Sequence, residues 1–157
     1  MAGSDCIDCA AGTYLAVRGS VEAAACIACA AGTYVEATGS VAESDCIGCD
    51  AGKYVEVEGS DEAADCIDCP AGTYLVDEGS SSANNCIACA AGRYSSGGSM
   101  NDAACLECGA TEATEGGPCT ECAAGQHPNA DRSECVDCPG GTAGVDGECV
   151  QLSLIHI

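Results

Sequence analysis

The chain has 157 residues, of which 25 are aspartate or glutamate and only 4 are lysine or arginine, so its formal net charge is −21. Alanine and the 17 cysteines make up most of the 47% classed as hydrophobic, and tryptophan and phenylalanine are absent, which leaves too little apolar bulk for an ordinary core. Arg18, Lys53, Arg93 and Arg132 occur singly, which excludes nucleic acids and anionic membrane surfaces as partners, because both are recognised by clustered cations.

A repeat of 20 residues organises the first two thirds of the chain. Its unit is C-x-x-C-x-A-G-x-Y, followed in four copies by x4-G-S, and copies begin at Cys6, Cys26, Cys46, Cys66 and Cys86. From Cys105 onward the spacing shortens and tyrosine is lost, with His127 or Ala143 in its place. We predict a remnant of a preceding repeat over 1–5, five regular repeats over 6–104, degenerate units over 105–150 and a non-native tail over 151–157.

Each unit predicts a short β-hairpin. Gly12 suits a turn that a Cβ would resist, and Tyr14–Val17 and Tyr54–Val57 contain β-prone residues. A turn at Gly-Ser follows, and the five residues before the next cysteine fit either a second short strand or one helical turn. The predicted fold is therefore small and disulfide-rich, mostly short β-hairpins and loops, forming an elongated tandem-repeat rod with no single core.

A disulfide ladder is the pairing that the cysteine spacing favours. Joining the second cysteine of each C-x-x-C to the first cysteine of the next closes loops that the chain-entropy model values at about 3 kcal/mol each, more than pairing within a C-x-x-C would give. Cys6 is left unpaired. The predicted bonds are Cys9–Cys26, Cys29–Cys46, Cys49–Cys66, Cys69–Cys86, Cys89–Cys105, Cys108–Cys119, Cys122–Cys135 and Cys138–Cys149.

Two other uses of the cysteines stay open at this point. Zinc ribbons use the same C-x2-C-x16-C-x2-C spacing, so the alternative function is an intracellular zinc-binding module. Against it, a zinc ribbon usually joins two C-x-x-C pairs and stops, whereas here the pairs follow one another in a long series. Redox catalysis would need a thiolate stabilised by a nearby cation or a helix N-terminus, which so acidic a chain disfavours.

The repeat C-x-x-C-x-A-G-x-Y-x4-G-S resembles the ephrin-receptor-like cysteine-rich repeats of the growth-factor-receptor cysteine-rich superfamily. It is more distantly similar to the first half-module of tumour necrosis factor receptor repeats. The resemblance covers residues 6–104 and implies the pairing of Cys9 with Cys26, while residues 105–150 depart from the pattern. It also implies an extracellular receptor-like or adhesion-type scaffold, with no catalytic residues to transfer.

The remaining candidates are structural. We expect Tyr14, Tyr34, Tyr54, Tyr74 and Tyr94 to pack on their own disulfides and on the neighbouring unit, and the isoleucines between the paired cysteines to form contacts between units. Acidic positions alternate with alanine or glycine between repeats, so we expect no cofactor beyond weak, diffuse Ca²⁺ binding. With only two histidines and no nucleophile beside a base, we expect no enzyme.

We therefore predict a non-enzymatic extracellular segment that acts as a spacer or as a protein-interaction, receptor-like ectodomain. No run reaches the roughly 18 apolar residues of a membrane span, so no membrane insertion is expected within it. The N-terminal Met-Ala-Gly-Ser-Asp lacks the features of a secretory signal, so we expect a fragment of a larger secreted or cell-surface protein. No particular protein partner or oligomeric state is predicted.

Overall fold

A computed structural model describes residues 8–17, 22 and 25–151 of the chain. These residues form sixteen short strands, which pair as neighbours along the chain into eight antiparallel two-stranded hairpins, and they contain no α-helix. The predicted small, disulfide-rich fold of repeated short hairpins is confirmed. The rod shape and the boundaries of the predicted segments stay predictions.

The hairpins are numbered here as modules 1 to 8, from the N-terminus. In modules 1 to 4 the strand pairs are β1 (Thr13–Leu15) with β2 (Cys26–Ala28), β3 (Thr33–Tyr34) with β4 (Ile47–Gly48), β5 (Lys53–Tyr54) with β6 (Ile67–Asp68), and β7 (Thr73–Tyr74) with β8 (Ile87–Ala88). In modules 5 to 8 they are β9 (Arg93–Tyr94) with β10 (Leu106–Glu107), β11 (Glu112–Ala113) with β12 (Thr120–Glu121), β13 (Gln126–Pro128) with β14 (Cys135–Asp137), and β15 (Thr142–Val145) with β16 (Glu148–Gln151).

A tight turn begins each regular hairpin. In module 2, the Thr33 N–H donates to the Ala30 carbonyl over 3.1 Å, and the Thr33 hydroxyl donates to the same oxygen over 2.7 Å. Gly32, the third residue of this turn, has φ +92°. Glycine reaches that region without a steric penalty, and a type II turn requires it there. The turn predicted from the A-G-x-Y sequence is thus present.

The second strand of each hairpin lies closer to the C-terminus than the five-residue segment for which the sequence suggests a strand or a helical turn. It is formed by the C-x-x-C segment itself, so that Tyr34 pairs with Ile47 and Thr33 pairs with Gly48. In modules 2 to 5 the segment before the closing cysteine is not a strand, and the same segment of module 1 lies mostly outside the described residues. In module 2 it forms one 3-10 turn, Glu43–Asp45, which settles the open choice in favour of a helical turn.

The described residues divide into two compact units, one within Met1–Cys69 and Leu75–Cys86 and the other within Pro70–Tyr74 and Ile87–Ile157. In the first unit, backbone hydrogen bonds connect each module to the next. The Gly12 N–H donates to the Val35 carbonyl over 2.8 Å, the Leu15 N–H to the Ser40 carbonyl over 2.9 Å, and the Gly39 N–H to the Cys9 carbonyl over 2.7 Å. These bonds recur 20 residues later, from Gly32, Val35 and Gly59.

The second unit uses similar bonds with different residues. The Gly72 N–H donates to the Ser95 carbonyl over 2.9 Å, and the buried Ser95 hydroxyl donates to the Thr73 carbonyl over 2.7 Å. Further along, the Thr114 N–H donates to the carbonyl of Arg132 over 2.8 Å. Main-chain hydrogen bonds between modules are therefore kept even where the repeat has drifted, and side chains such as Ser95 add to them.

Candidate functional site

Each module is closed by one disulfide bond. The eight bonds are Cys9–Cys26, Cys29–Cys46, Cys49–Cys66, Cys69–Cys86, Cys89–Cys105, Cys108–Cys119, Cys122–Cys135 and Cys138–Cys149. Sequence separations are 17 in modules 1 to 4 and between 11 and 16 in modules 5 to 8. Cys6, which the sequence leaves unpaired, lies outside the described residues. The second cysteine of each regular C-x-x-C is among the most buried of the described residues, so the bonds take the place of an apolar core.

Tyr34 packs against the disulfide of the following module. Its ring contacts a buried cluster formed by Val55 and the bonded pair Cys49 and Cys66. The other tyrosines of the repeat, Tyr14, Tyr54, Tyr74 and Tyr94, are half-buried at the equivalent strand position. Tyr34 therefore links two modules, because its side chain covers sulfur that belongs to the next one.

The isoleucines between the paired cysteines are about half exposed, and the contacts between units that the sequence predicted for them stay a prediction. Ile47 keeps 54% of its surface exposed and Ile67 keeps 53%, with Ile27, Ile87 and the equivalent Leu106 in the same range. The C-x-x-C segment does contact other modules through its backbone, since the Gly59 N–H donates to the Cys29 carbonyl and the Gly79 N–H to the Cys49 carbonyl, each over 2.8 Å. The residue after each tyrosine, such as Val55, is buried instead.

Modules 2 and 3 hold carboxylates in place through backbone N–H groups. Asp45 Oδ2 accepts from the N–H groups of Val41 over 2.8 Å and Ala42 over 3.0 Å, which caps the 3-10 turn. Glu36 Oε1 accepts from the Ala63 N–H of module 3 over 3.3 Å. These contacts fix two negative side chains on the exposed part of module 2.

Three ion pairs occur among the described residues. Lys53 and Asp68 approach to 2.6 Å, Arg93 and Asp102 to 3.2 Å, and Arg132 and Glu107 to 3.9 Å. All three are partly exposed, so each contributes at most about 1 kcal/mol to stability. Most carboxylates of the described residues therefore have no cationic partner.

A loop in module 7 lowers the pKa of Asp131. The Ser133 hydroxyl donates to Asp131 Oδ1 over 2.8 Å and the Ser133 N–H over 3.2 Å, and both bonds favour the charged carboxylate, so they hold its pKa below the ordinary value. Asp131 is fully exposed. The contacts therefore order the loop without creating a catalytic group.

Neither a metal site nor a membrane span is found where the structure describes the chain. No group of three or more histidine, cysteine, aspartate or glutamate side chains in these residues could hold a metal ion, and the sixteen cysteines that they include are all in disulfides. None of the described helical segments is long and apolar enough to cross a bilayer.

Together these features define a tandem series of disulfide-closed hairpins that are joined by backbone hydrogen bonds within each unit. A family model described as tyrosine-protein kinase ephrin type A/B receptor-like matches residues 2–46 and 43–86, more than half of the chain. The chain therefore belongs to the ephrin receptor-like cysteine-rich family. No curated protein matches it in a direct sequence comparison.

The sequence alone did not predict that the isoleucines are half exposed or that Glu36 and Asp45 are held by backbone N–H groups. A signal for the carboxylates was present, since the residue two places after the tyrosine is Glu36 in module 2 and Glu56 in module 3 but Ala16 in module 1 and Val76 in module 4. Because modules 1 and 4 lack this glutamate, it cannot be a ligand that every module needs. The pattern is compatible with a role confined to modules 2 and 3.

Proposed function

We propose that this chain is a non-enzymatic segment of an extracellular protein, acting as a spacer or as a protein-interaction, receptor-like ectodomain. The observation that carries the proposal is the unbroken series of eight disulfides, because such bonds persist in oxidising compartments. The kinase in the family's description is not part of the proposal for this chain.

The shape of the cavities among the described residues supports the non-enzymatic part of the proposal. The described cavities are open grooves, one lined by Gly92, Glu107 and Asp131 and another by Val35, Glu36 and Ile47, whereas enzymes usually need a water-excluding cleft that perturbs titratable groups. His127 lies in β13 opposite Val136, at the strand position that tyrosine occupies in the regular modules. That placement supports a packing role for this histidine.

The test is the intact mass of the chain after passage through the secretory pathway of a host cell behind an added signal peptide. We expect the sixteen cysteines of the eight bonds to be resistant to alkylation until reductant is added, with no bound metal. Peptide mapping without reduction should then show each module's opening cysteine linked to its closing cysteine.

Two outcomes would overturn the proposal. One is a native mass that exceeds the polypeptide by whole zinc ions and loses them on acidification, which would support the zinc-binding alternative. The other is retention of the chain inside the cell as disulfide-scrambled aggregate while a known cysteine-rich ectodomain, expressed in parallel, is secreted.

A further inference from the structure

The disulfides of modules 7 and 8 are more exposed than the six that precede them. In modules 1 to 6 the second cysteine of each C-x-x-C is buried, with 5% or less of its surface exposed. Both cysteines of each later bond, Cys122–Cys135 and Cys138–Cys149, are only half-buried. Thiol–disulfide exchange requires a thiolate to reach a sulfur atom, so exposed bonds are the more easily reduced ones.

A groove on the second unit leads to the bond of module 7. It has a volume of about 240 Å³, and Cys122 is part of its lining. Ala123, Ala124 and Gly144 line the same groove, and their small side chains leave the approach to the cysteine open. A small thiolate can therefore reach Cys122 from the surface.

The loop that this bond closes contacts the preceding module. Residues 129–134, called here the module 7 loop, end directly before Cys135. The Arg132 carbonyl accepts from the N–H of the buried Thr114 over 2.8 Å, and Arg132 Nη1 donates to the Cys108 carbonyl over 2.6 Å. Both partners belong to module 6, so the loop holds modules 6 and 7 together.

The module 7 loop also reaches module 5. A Cβ added to Gly92 would collide with the Asp131 carbonyl oxygen, so the two main chains lie in close contact there. Arg132 forms the 3.9 Å ion pair with Glu107 of the same module. One short segment thus joins three modules of the second unit.

The ends of the loop are held by a short hairpin. Pro128 and Cys135 form the last of its three residue pairs. Proline has no N–H, so the bond that Val35 donates to the next module at the equivalent position cannot form here. The bonds between Asn129 and Ser133 shape the loop but attach it to no other module. Because so short a hairpin is marginal by itself, the disulfide decides whether the loop stays in place.

We propose that Cys122–Cys135 is a redox switch, which a dithiol reductant opens while the buried bonds of modules 1 to 6 stay oxidised. A thiolate of the reductant attacks Cys122 and forms a mixed disulfide, and Cys135 leaves as a thiolate that takes up a proton. The second thiol of the reductant, once deprotonated, attacks the reductant's own sulfur and releases the Cys122 thiolate. The protein gains two electrons and two protons, and the reductant becomes a cyclic disulfide.

Opening the bond releases the module 7 loop from modules 5 and 6. The change at the switch is local, but it uncovers the surface of module 6 around Thr114, which is only 7% exposed in the oxidised chain. This inference rests on the proposed function, since it gives the interaction segment a means of regulation.

The first test applies limiting dithiothreitol to the oxidised full chain. Free thiols are trapped with N-ethylmaleimide at timed intervals and located by peptide mapping. We expect Cys122 and Cys135 to be labelled about tenfold faster than any cysteine of modules 1 to 6, because the buried bonds react only after local opening. Equal labelling rates would overturn the inference.

Amide hydrogen exchange on the same samples measures release of the loop. When Cys122–Cys135 is reduced, the Thr114 N–H should lose its acceptor and exchange about tenfold faster. The Gly92 N–H donates to the Thr114 carbonyl over 3.2 Å and not to the loop, so it should keep its rate. Unchanged exchange at Thr114 after reduction would show that the bond does not control the loop.

Two paired variants separate this bond from its exposed neighbour. Cys122→Ser with Cys135→Ser should give the fast Thr114 exchange without reductant, and limiting dithiothreitol should then change it no further. Cys138→Ser with Cys149→Ser should leave Thr114 protected until reductant is added. The reverse pattern would assign the coupling to module 8 and refute the proposal.

Alkylation of the starting sample comes first and separates this inference from the proposed function. A chain that never forms its disulfides in the secretory pathway refutes the proposed function. An oxidised chain that fails the labelling or the exchange test refutes the redox switch alone.

Discussion

Two separate constraints, one conformational and one steric, require glycine in the turn that opens a regular hairpin. At Gly32 the backbone has φ +92°, and a Cβ placed there would collide with the Gly79 carbonyl oxygen. Gly12 stands in the same relation to the carbonyl of Gly59. The residue is therefore required both by its own conformation and by the approach of a second turn.

Gly32→Ala should lower the free energy of unfolding by about 3 kcal/mol, because strain and collision add. The matched control is Gly141→Ala, where φ is +89° but nothing lies within 4 Å of the added Cβ, so conformational strain alone should cost about 1 kcal/mol. Guanidinium denaturation of the oxidised protein measures both. Equal shifts in the two midpoints would show that the collision is relieved at no cost.

Ser133→Ala should raise the pKa of Asp131 towards its ordinary value, because the largest contribution to the lowered pKa is the Ser133 hydroxyl bond. A lowered carboxyl pKa stabilises the folded loop above the unfolded-state pKa, and this contribution is lost as the pH falls through the folded-state pKa. Carboxyl-carbon NMR titration measures the change. Thr142→Ala removes a hydroxyl that bonds only to the Pro139 carbonyl and should leave the Asp131 titration in place.

At the scale of the element, the hairpin is too small to fold by itself. Its strands are two to four residues long, and isolated two-stranded hairpins are marginal in water. The disulfide supplies the stability that the strands lack. The packing of Tyr34 on Cys49 and Cys66 extends this stabilisation to the preceding module. Loss of one bond should therefore be felt in two modules.

Replacing Cys49 and Cys66 together with alanine should cost about 3 kcal/mol, the loop-closure value for a 17-residue separation. Hydrogen exchange should rise in module 3 and also around Tyr34 in module 2. In the control, Cys138 and Cys149 of module 8 are replaced together, and faster exchange should stay within the second unit. Unchanged exchange at Tyr34 in the first variant would contradict the role given to its packing.

The order of the cysteines is sufficient to predict the hairpin fold, since the pairs joined in the structure are those that loop entropy favours. The strand pairing could not be predicted in the same way, because the C-x-x-C segment has no alternation that distinguishes a strand from a connector. The exposure of Ile47 was missed for the same reason. The anchoring of Glu36 and Glu56 depends on hydrogen bonds to residues 27 positions away, as between Glu36 and Ala63, which no local pattern reveals.

At the scale of the whole molecule, a net charge of −21 on 157 residues opposes the folded state through self-repulsion. Sodium chloride should therefore raise the denaturation midpoint at fixed pH, as screening weakens the repulsion. Calcium chloride at the same ionic strength tests for more than screening. Similar midpoints in the two salts would agree with diffuse Ca²⁺ binding, and a much larger rise in calcium would reveal a specific site.

Hydrogen bonds between main-chain atoms recur at the junctions between modules, as between Gly12 and Val35 or Gly39 and Cys9, beside side-chain bonds such as that of Glu36. Side chains elsewhere on a module can therefore change without loss of the junction. The surface residues of one module can therefore differ from those of the next. Single modules can also be duplicated, deleted or exchanged while the main-chain bonds between neighbours are kept. Proteins built in this way can change their binding surfaces one module at a time while the main-chain bonds between modules stay the same.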